Sequence, residues 1–174
     1  MRAALLLLFG VVLSQTPPRP PDVIFLASED AVITAMLKIA NVTSTDVVYD
    51  LGCGDGRIVI EAAKRLGARG VGVDIDPQRI VEANANAKAA GVTKKVRFEV
   101  GDIFADETRI EDASVVMLYL LPSLNQKLKP KLLRELKPGT RIVSNSFDMG
   151  EDWPPQKTQR VGTFVVYLWT IPKR

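Results

Sequence analysis

The sequence predicts an α/β protein, a doubly wound and mostly parallel sheet with helices on both faces. Three observations carry that prediction. Short apolar runs of strand type alternate with amphipathic helical stretches from Asp22 onward. The first run, Val47 to Leu51, passes through a glycine-rich turn straight into a helix. The stretch Ser114 to Leu121 is apolar almost throughout, as a strand buried on both faces should be.

The elements follow in order. Ser28 is a candidate N-cap, with Glu29 and Asp30 in the first turn to complement the helix dipole. Val32, Met36, Ile39 and Ala40 then share one helical face. Val47 to Leu51 is the first strand, and Arg57 to Leu66 a helix with Ile58, Ala62 and Leu66 on one stripe and Gly67 placed to end it. Gly70 to Asp74 is the second strand. Asp76 caps a helix that starts with Pro77 in the favoured first position and ends at Gly91. Val96 to Val100 and Ser114 to Leu121 are the third and fourth strands. Leu124 to Leu136 reads as a helix that Pro130 must break or restart. Thr140 to Ser144 is a fifth strand. A long one, Phe164 to Ile171, closes the chain and pairs with a short strand at Lys157 to Arg160. The basic run Lys127, Lys129, Lys131, Arg134, Lys137 reads first as a solvated helix face and second as a docking surface for an acidic partner.

Composition excludes whole chemistries. The chain has 174 residues, one domain's length, and no histidine, which removes imidazole acid–base catalysis, Ser-His-Asp and Cys-His sites and His-bound metals. A single cysteine, Cys53, permits no intrachain disulfide and no Cys-rich metal site. Residues 1–21 hold two basic residues and no acid, so the remainder carries 21 basic against 20 acidic residues, a balance of +1. That is no electrostatic footprint for nucleic acid.

Residues 1–14 read as a signal peptide or membrane anchor: Arg2 precedes an apolar run from Ala3 to Leu13, with Val12 and Ser14 as small residues at a cleavage site before Gln15. The run is shorter than the ~17–25 residues of a spanning helix, which favours an export signal. Residues 15–21, with four prolines, form a stiff linker, and residues 22–174 the folded domain.

The informative stretch is Val47-Val-Tyr-Asp-Leu-Gly-Cys-Gly-Asp-Gly-Arg57. Glycines at alternate positions, Gly52, Gly54 and Gly56, let the backbone turn sharply and approach a ligand. In this fold class the ligand crevice lies beyond the carboxyl ends of the strands. The spacing G-x-G-x-G differs from the dinucleotide fingerprint G-x-G-x-x-G, and Asp50 and Asp55 are ill placed to receive a pyrophosphate. They suit a ligand bearing a cationic amine and a sulfonium. Asp74 ends the second strand, 22 residues after Gly52, where an acid can accept both hydrogen bonds of a ribose diol.

These residues, with Gly101-Asp102 after the third strand, resemble the seven-stranded S-adenosylmethionine-dependent methyltransferases. The resemblance implies a Rossmann-like sheet with the last strand antiparallel and S-adenosyl-L-methionine as cofactor. It assigns Asp50 and the loop Gly52, Cys53, Gly54, Gly56 to the methionine end, Asp74 and Ile75 to the ribose, and Asp102 with the Ile103 amide to the adenine. A structural cap is the rival reading for Asp102. Within that superfamily the stretch Asp50 to Ile60, the helix Ala31 to Ala40, Ser146-Phe-Asp and Trp153-Pro are similar to the small ATP synthase c-subunit lysine methyltransferases. By that likeness the acceptor is a protein lysine.

A lysine acceptor must be neutral to react, and burial in an apolar channel lowers its pKa. Phe25, Tyr119, Leu120, Pro122 and Phe147 are candidates to line such a channel, with Tyr119 and Asp148 the candidate catalytic residues. Asn125 stands outside any Asn-Pro-Pro-Tyr motif, and Cys53 has no base to activate it. Export would place the domain away from S-adenosylmethionine, so residues 1–14 are then a cytoplasm-facing anchor or the domain a non-catalytic scaffold. An NAD-dependent oxidoreductase is the third alternative.

Overall fold

The computed structural model describes residue 20 and residues 26–173. The expected leader, residues 1–14, lies outside the described residues, as do Phe25 and all of the proline segment except Pro20. The elements are α1 (Asp30–Ile39), β1 (Val47–Leu51), α2 (Arg57–Leu66), β2 (Arg69–Asp74), α3 (Pro77–Ala89), β3 (Val96–Val100), β4 (Val115–Leu118), α4 (Pro122–Glu135), β5 (Arg141–Asn145), β6 (Lys157–Val161) and β7 (Phe164–Thr170). They build one sheet of seven strands in the order β3-β2-β1-β4-β5-β7-β6. Strands β1 to β5 are parallel, and β7 runs antiparallel between β5 and β6. The order reverses between β1 and β4, and in open α/β sheets the crevice at that switch point is where ligands sit.

Both faces of the central strands are covered. Val48, Val115, Met117 and Val143 pack under α1 and α2, while Tyr49, Leu51, Val116, Leu118, Ile142 and Trp169 pack with Leu128 and Leu132 of α4. Burial on two sides explains why β1 and β4 read as unbroken apolar runs. Local signals set the helix ends. Gly67 adopts the left-handed conformation that terminates α2. The Asp76 carboxylate accepts the Gln78 amide hydrogen at 2.8 Å, ahead of Pro77 at the start of α3.

The structure departs from the sequence reading in four places. Ser28 is not a cap: α1 begins after Glu29, and the Ser28 carbonyl instead accepts from Arg57 Nη1 at 3.1 Å. Strand β4 ends at Leu118, level with Leu51 and Ser144 of its neighbours. Tyr119 to Leu121 therefore leaves the sheet, and the residue before Pro122 is held extended. Helix α4 starts at Pro122 and runs through Pro130 unbroken. Pro130 and Gln126, four residues earlier, lie on the exposed side, where the carbonyl freed by the ring can be hydrated. Contacts on either side of the proline, Gln126 Nε2 with the Met149 carbonyl and Leu132 in the core, hold the helix together.

The basic run is solvated in part, with Lys127, Arg134 and Lys137 exposed, but several of its cations also have partners within the chain. Lys131 is buried, bonded to the Ala105 carbonyl at 2.9 Å and paired with Glu135. Lys127 lies 3.9 Å above the Phe104 ring, Lys129 pairs with Asp152 at 2.6 Å, and Arg134 pairs with Asp106. These cations fasten α4 to the chain around it.

Between β3 and β4 no helix covers the sheet. A layer of polar side chains replaces it: Arg97 pairs with Glu99, Arg109 with Glu111, and the Tyr49 hydroxyl donates to Asp112 at 2.6 Å. Burial and the Asp112 carboxylate push the Tyr49 phenol up to about 12.

On the opposite face α2 rests close against β2 because Gly70 carries no side chain, a Cβ there standing 2.5 Å from Val59, and Phe98 of β3 and Cys53 close over Gly72 for the same reason. A Cβ on Gly72 would stand 2.5 Å from the Phe98 ring and 2.8 Å from Cys53 Sγ. Gly72→Val is expected to destabilise the fold by about 1–3 kcal/mol through overpacking, read as a lower urea midpoint with an unchanged slope. A wild-type midpoint would show that the packing of Phe98 and Cys53 over β2 does not depend on this glycine.

Candidate functional site

The site begins with β1. Its pleat turns Val48 and Asp50 toward α2, and its two-sided burial leaves Asp50 only 3% exposed at the strand's carboxyl end. The chain then turns through Gly52, Gly54 and Gly56, with φ of 87°, 52° and 78°. An L side chain resists that region, so three such residues in five make the turn a glycine structure. The Val73 carbonyl at the end of β2 accepts both the Gly52 amide at 2.8 Å and the Cys53 amide at 3.0 Å. The Gly54 amide donates to Asp74 Oδ2 at 2.8 Å, and the Asp76 amide to Asp74 Oδ1 at 3.0 Å. The loop is therefore bound to the end of β2 by its own backbone.

The three glycines differ in what they do. Gly52 is exposed, and a Cβ on it would approach Leu120 of the loop after β4 at 3.1 Å. Gly54 is buried against Asp74. Gly56 faces the core, where a Cβ would meet the Phe98 ring at 2.6 Å and Ala83 at 2.9 Å. Its contribution is the turn into α2 and the packing beneath it. Cys53 is buried beside Asp50, and burial with the neighbouring carboxylates pushes its thiol far above the ordinary value, so it packs and does not react.

The carboxylates are not equivalent. Asp55 lies in a fork with Arg57, at 2.9 Å from Nε and 2.7 Å from Nη2. Burial raises it, but the Arg57 hydrogen bonds and charge outweigh that and hold it below the usual carboxylate range. Asp55 is thus neutralised within the loop, which corrects its reading as a ligand-facing acid. Asp50 has no such partner. Burial, then the charges of Asp74 and Asp55, push it up to about 8, and no group among the described residues pulls the other way. A buried acid facing another acid with no cation of its own is the environment a cationic ligand group would complete. It would repel a pyrophosphate. Asp74 is half-buried, each oxygen accepting one backbone hydrogen bond with lone-pair capacity left. Ile75 is half-buried next to it.

Around the crevice, Asp102 Oδ1 accepts the Phe104 amide at 3.0 Å, so its side chain does cap a turn, and Ile103 is buried in the core beside it. Tyr119 and Phe147, on the loops after β4 and β5, stack with centroids 6.2 Å apart and planes 22° apart. Both are half-buried and flank the same end of the sheet. Leu121 and Pro122 are exposed there, and Leu120 is buried. Asp148 is exposed, its Oδ1 accepting the Gly150 amide at 2.9 Å, so it stands at the rim in a turn and away from the stack. Sequence reasoning named three residues without seeing what they contribute: Arg57 and Ser146, quoted only for the family likeness, the latter in the left-handed region at φ 66°, and Asn125, set aside for want of a motif and buried beneath the Phe147–Asp148 backbone.

Comparison with known proteins agrees with this geometry. Residues 50–157 match the model of the ANTKMT methyltransferase domain. The chain is 44% identical over 156 residues to a protein-lysine N-methyltransferase of Saccharolobus islandicus, covering 87% of this chain and 95% of that one. It is 34% identical over 125 residues to the adenine nucleotide translocase lysine N-methyltransferase of Mus musculus, covering 71% of this chain and 53% of the relative, so it spans about half of that protein's length. Among solved structures, an RNA methyltransferase from Salinibacter ruber in complex with S-adenosyl-L-homocysteine superposes with a TM-score of 0.83 at 52% identity, covering 86% of this chain and 95% of that one.

The state of Asp50 gives a pH test. Its raised pKa means the folded, ligand-free protein holds a proton that the unfolded chain releases near pH 4. Its contribution to stability is full below that pH and is lost as pH rises through about 8. Asp50→Asn is expected to melt above the wild type at pH 9, with the gap closing toward pH 4. In the wild type, S-adenosylmethionine binding at pH 7 should expel up to about one proton, read by calorimetry in buffers of different ionisation enthalpy. Equal proton release by Asp50→Asn would show that the cationic end of the ligand lies elsewhere.

Proposed function

The chain belongs to the ANTKMT methyltransferase domain family and is an S-adenosylmethionine-dependent methyltransferase, and from that premise we propose that it N-methylates a protein lysine. The observation that carries the reading is the Tyr119–Phe147 stack, an aromatic wall at the end of the sheet beside the glycine loop, in a protein with no histidine. The names of the Saccharolobus and mouse relatives support it.

In this reading Asp50 receives the cationic amino end of the cofactor, with the backbone of Gly52, Cys53 and Gly54 closing around it. Asp74, with Ile75 beside it, accepts from the ribose hydroxyls. The Ile103 amide and Asp102 meet the adenine, although Asp102 also caps its own turn. S-adenosylmethionine, when bound, supplies a methyl carbon already activated by its sulfonium. What remains for the protein is to align the acceptor and exclude water, and orientation of this kind is worth ~7–11 kcal/mol. Tyr119 and Phe147 would hold the lysine side chain, and their apolar surroundings would lower its pKa from about 10.4 toward the neutral form. Asp148 at the rim would meet the ammonium before it enters.

The solved relative named as an RNA methyltransferase makes RNA the competing acceptor. Charge argues for protein: residues 22–174 balance at +1 (21 basic, 20 acidic), and the cations at 127, 129, 131 and 134 on α4 are engaged within the chain. The test incubates the purified protein with tritiated S-adenosylmethionine and extract of a strain lacking it. Label should appear on lysine after protein hydrolysis and resist ribonuclease; label lost to ribonuclease would give the acceptor to RNA.

We also propose that residues 1–14 anchor the chain, with residues 15–21 as spacer and the domain facing the cytoplasm, where S-adenosylmethionine is made. Among the described residues no helix is long and apolar enough to cross a membrane. Protein from the membrane fraction should begin at Met1; a chain beginning at Gln15, or an intact soluble one, would overturn the anchor.

A further inference from the structure

We propose that Asn125 is a positioning residue for methyl transfer, which locks the loop after β5 to the first turns of α4 and so sets the gap between Phe147 and Tyr119. The inference rests on the reading of that pair as the acceptor wall. Asn125 lies in the first turns of α4, three residues after Pro122, and is 0% exposed. Its Nδ2 donates to the Phe147 carbonyl at 3.2 Å and the Asp148 carbonyl at 3.2 Å, with Ser144 Oγ at 3.4 Å. The next side chain, Gln126, continues the grip by donating to the Met149 carbonyl, and Lys129 one turn on pairs with Asp152. One helix thus holds consecutive backbone positions of the segment that carries Phe147.

The amide satisfies two carbonyls of the segment but leaves polar capacity of its own unmet. Asn125 shares the buried stripe of α4 with Leu128 and Leu132, and an apolar side chain there would leave the Phe147 and Asp148 carbonyls without their donor. Its Oδ1 has no hydrogen-bond partner among the described residues. Asn145, also 0% exposed, likewise has an unpartnered Nδ2, while its Oδ1 accepts from Ser146 Oγ at 2.9 Å. Ser146 itself occupies the left-handed region, uncommon for a residue with a side chain. Two half-satisfied buried amides and a strained serine meet where the chain leaves β5. Such costs persist where the surrounding structure fixes a geometry that matters for function.

The test uses Asn125→Leu and, as a variant at an exposed position, Gln126→Ala, both in the full chain. S-adenosylhomocysteine affinity is read by calorimetry, and backbone hydrogen exchange of residues 146–152 by mass spectrometry. Initial rates of tritium transfer are measured against both S-adenosylmethionine and extract-protein concentration. Asn125→Leu should keep its S-adenosylhomocysteine Kd within twofold, exchange the 146–152 segment at least tenfold faster, and lose at least tenfold in kcat/KM for the acceptor. Gln126→Ala should move the same quantities several-fold in the same directions. Acceptor kinetics within twofold of wild type in both variants, or cofactor affinity falling in parallel with activity, would overturn the proposal. If Asn125→Leu does not fold, the Gln126→Ala result decides by the same criteria. Wild-type labelling of RNA would defeat the lysine reading separately, because the exchange rates and cofactor affinity do not depend on the acceptor.

Discussion

One constraint organises the cofactor side of the molecule: Asp50 is buried at the end of β1 without a cation of its own. Burying a lone carboxylate is costly, and the protein meets the cost by keeping the group largely protonated, with its pKa pushed up to about 8. Everything adjoining it is consistent with leaving that vacancy of charge intact. Arg57, the cation nearest in sequence, is turned onto Asp55 and the Ser28 carbonyl. Asp74 is held by backbone amides, which stabilise its charge without cancelling it at Asp50. The environment therefore favours a positively charged ligand group and opposes an anionic one, which separates a sulfonium cofactor from a dinucleotide more sharply than glycine spacing alone.

The acceptor side is built on different principles. The glycine loop is held by backbone contacts to Val73 and by backbone amides on Asp74, whereas the segment after β5 is held by side chains of α4. The two halves touch where Leu120 abuts Gly52. Leu120 also lies between Tyr119 and the start of α4 at Pro122, so cofactor loop, aromatic wall and helix meet within a few residues. Cations of α4 add to this scaffold through the Ala105 carbonyl, Asp152, Asp106 and Phe104.

Much of this was legible in the sequence, and the exceptions have physical causes. The parallel strands and the helix ends at Gly67 and Asp76 carry local signals: two-sided apolar runs, a left-handed glycine, a side-chain cap. The length of β4 was misread because its last residues are as apolar as the strand, and only the register with Leu51 and Ser144 ends it. Pro130 was misread because its effect depends on whether the freed carbonyl faces water, which is a tertiary fact. Asp55 looked like a ligand-facing acid until its fork with Arg57 was seen. Asn125 is legible in the sequence only as an asparagine outside any Asn-Pro-Pro-Tyr motif, with no sign of its role. A lone amide in an amphipathic helix means nothing until the loop it grips, twenty-odd residues away in sequence, is placed above it.

The division between a backbone-held half and a side-chain-held half bears on how such a protein acquires its acceptor. A loop fixed by positive-φ glycines and carbonyl contacts is insensitive to most side-chain changes around it, so cofactor binding is robust. The segment after β5 has backbone bonds of its own, such as the Ser146 amide to the Val165 carbonyl at 2.7 Å, but its contacts to α4 all run through side chains, which makes that attachment the more sensitive to substitution. Ser146 in the left-handed region and the unpartnered atoms of Asn125 and Asn145 show that this segment is not at its own conformational optimum. Side chains of α4 hold its backbone at Phe147, Asp148 and Met149, and none of those contacts involves Asp50 or Asp74. On the proposed reading, the acceptor wall of Tyr119 and Phe147 and the cofactor side at Asp50 and Asp74 are thus held by different kinds of contact within a single small domain.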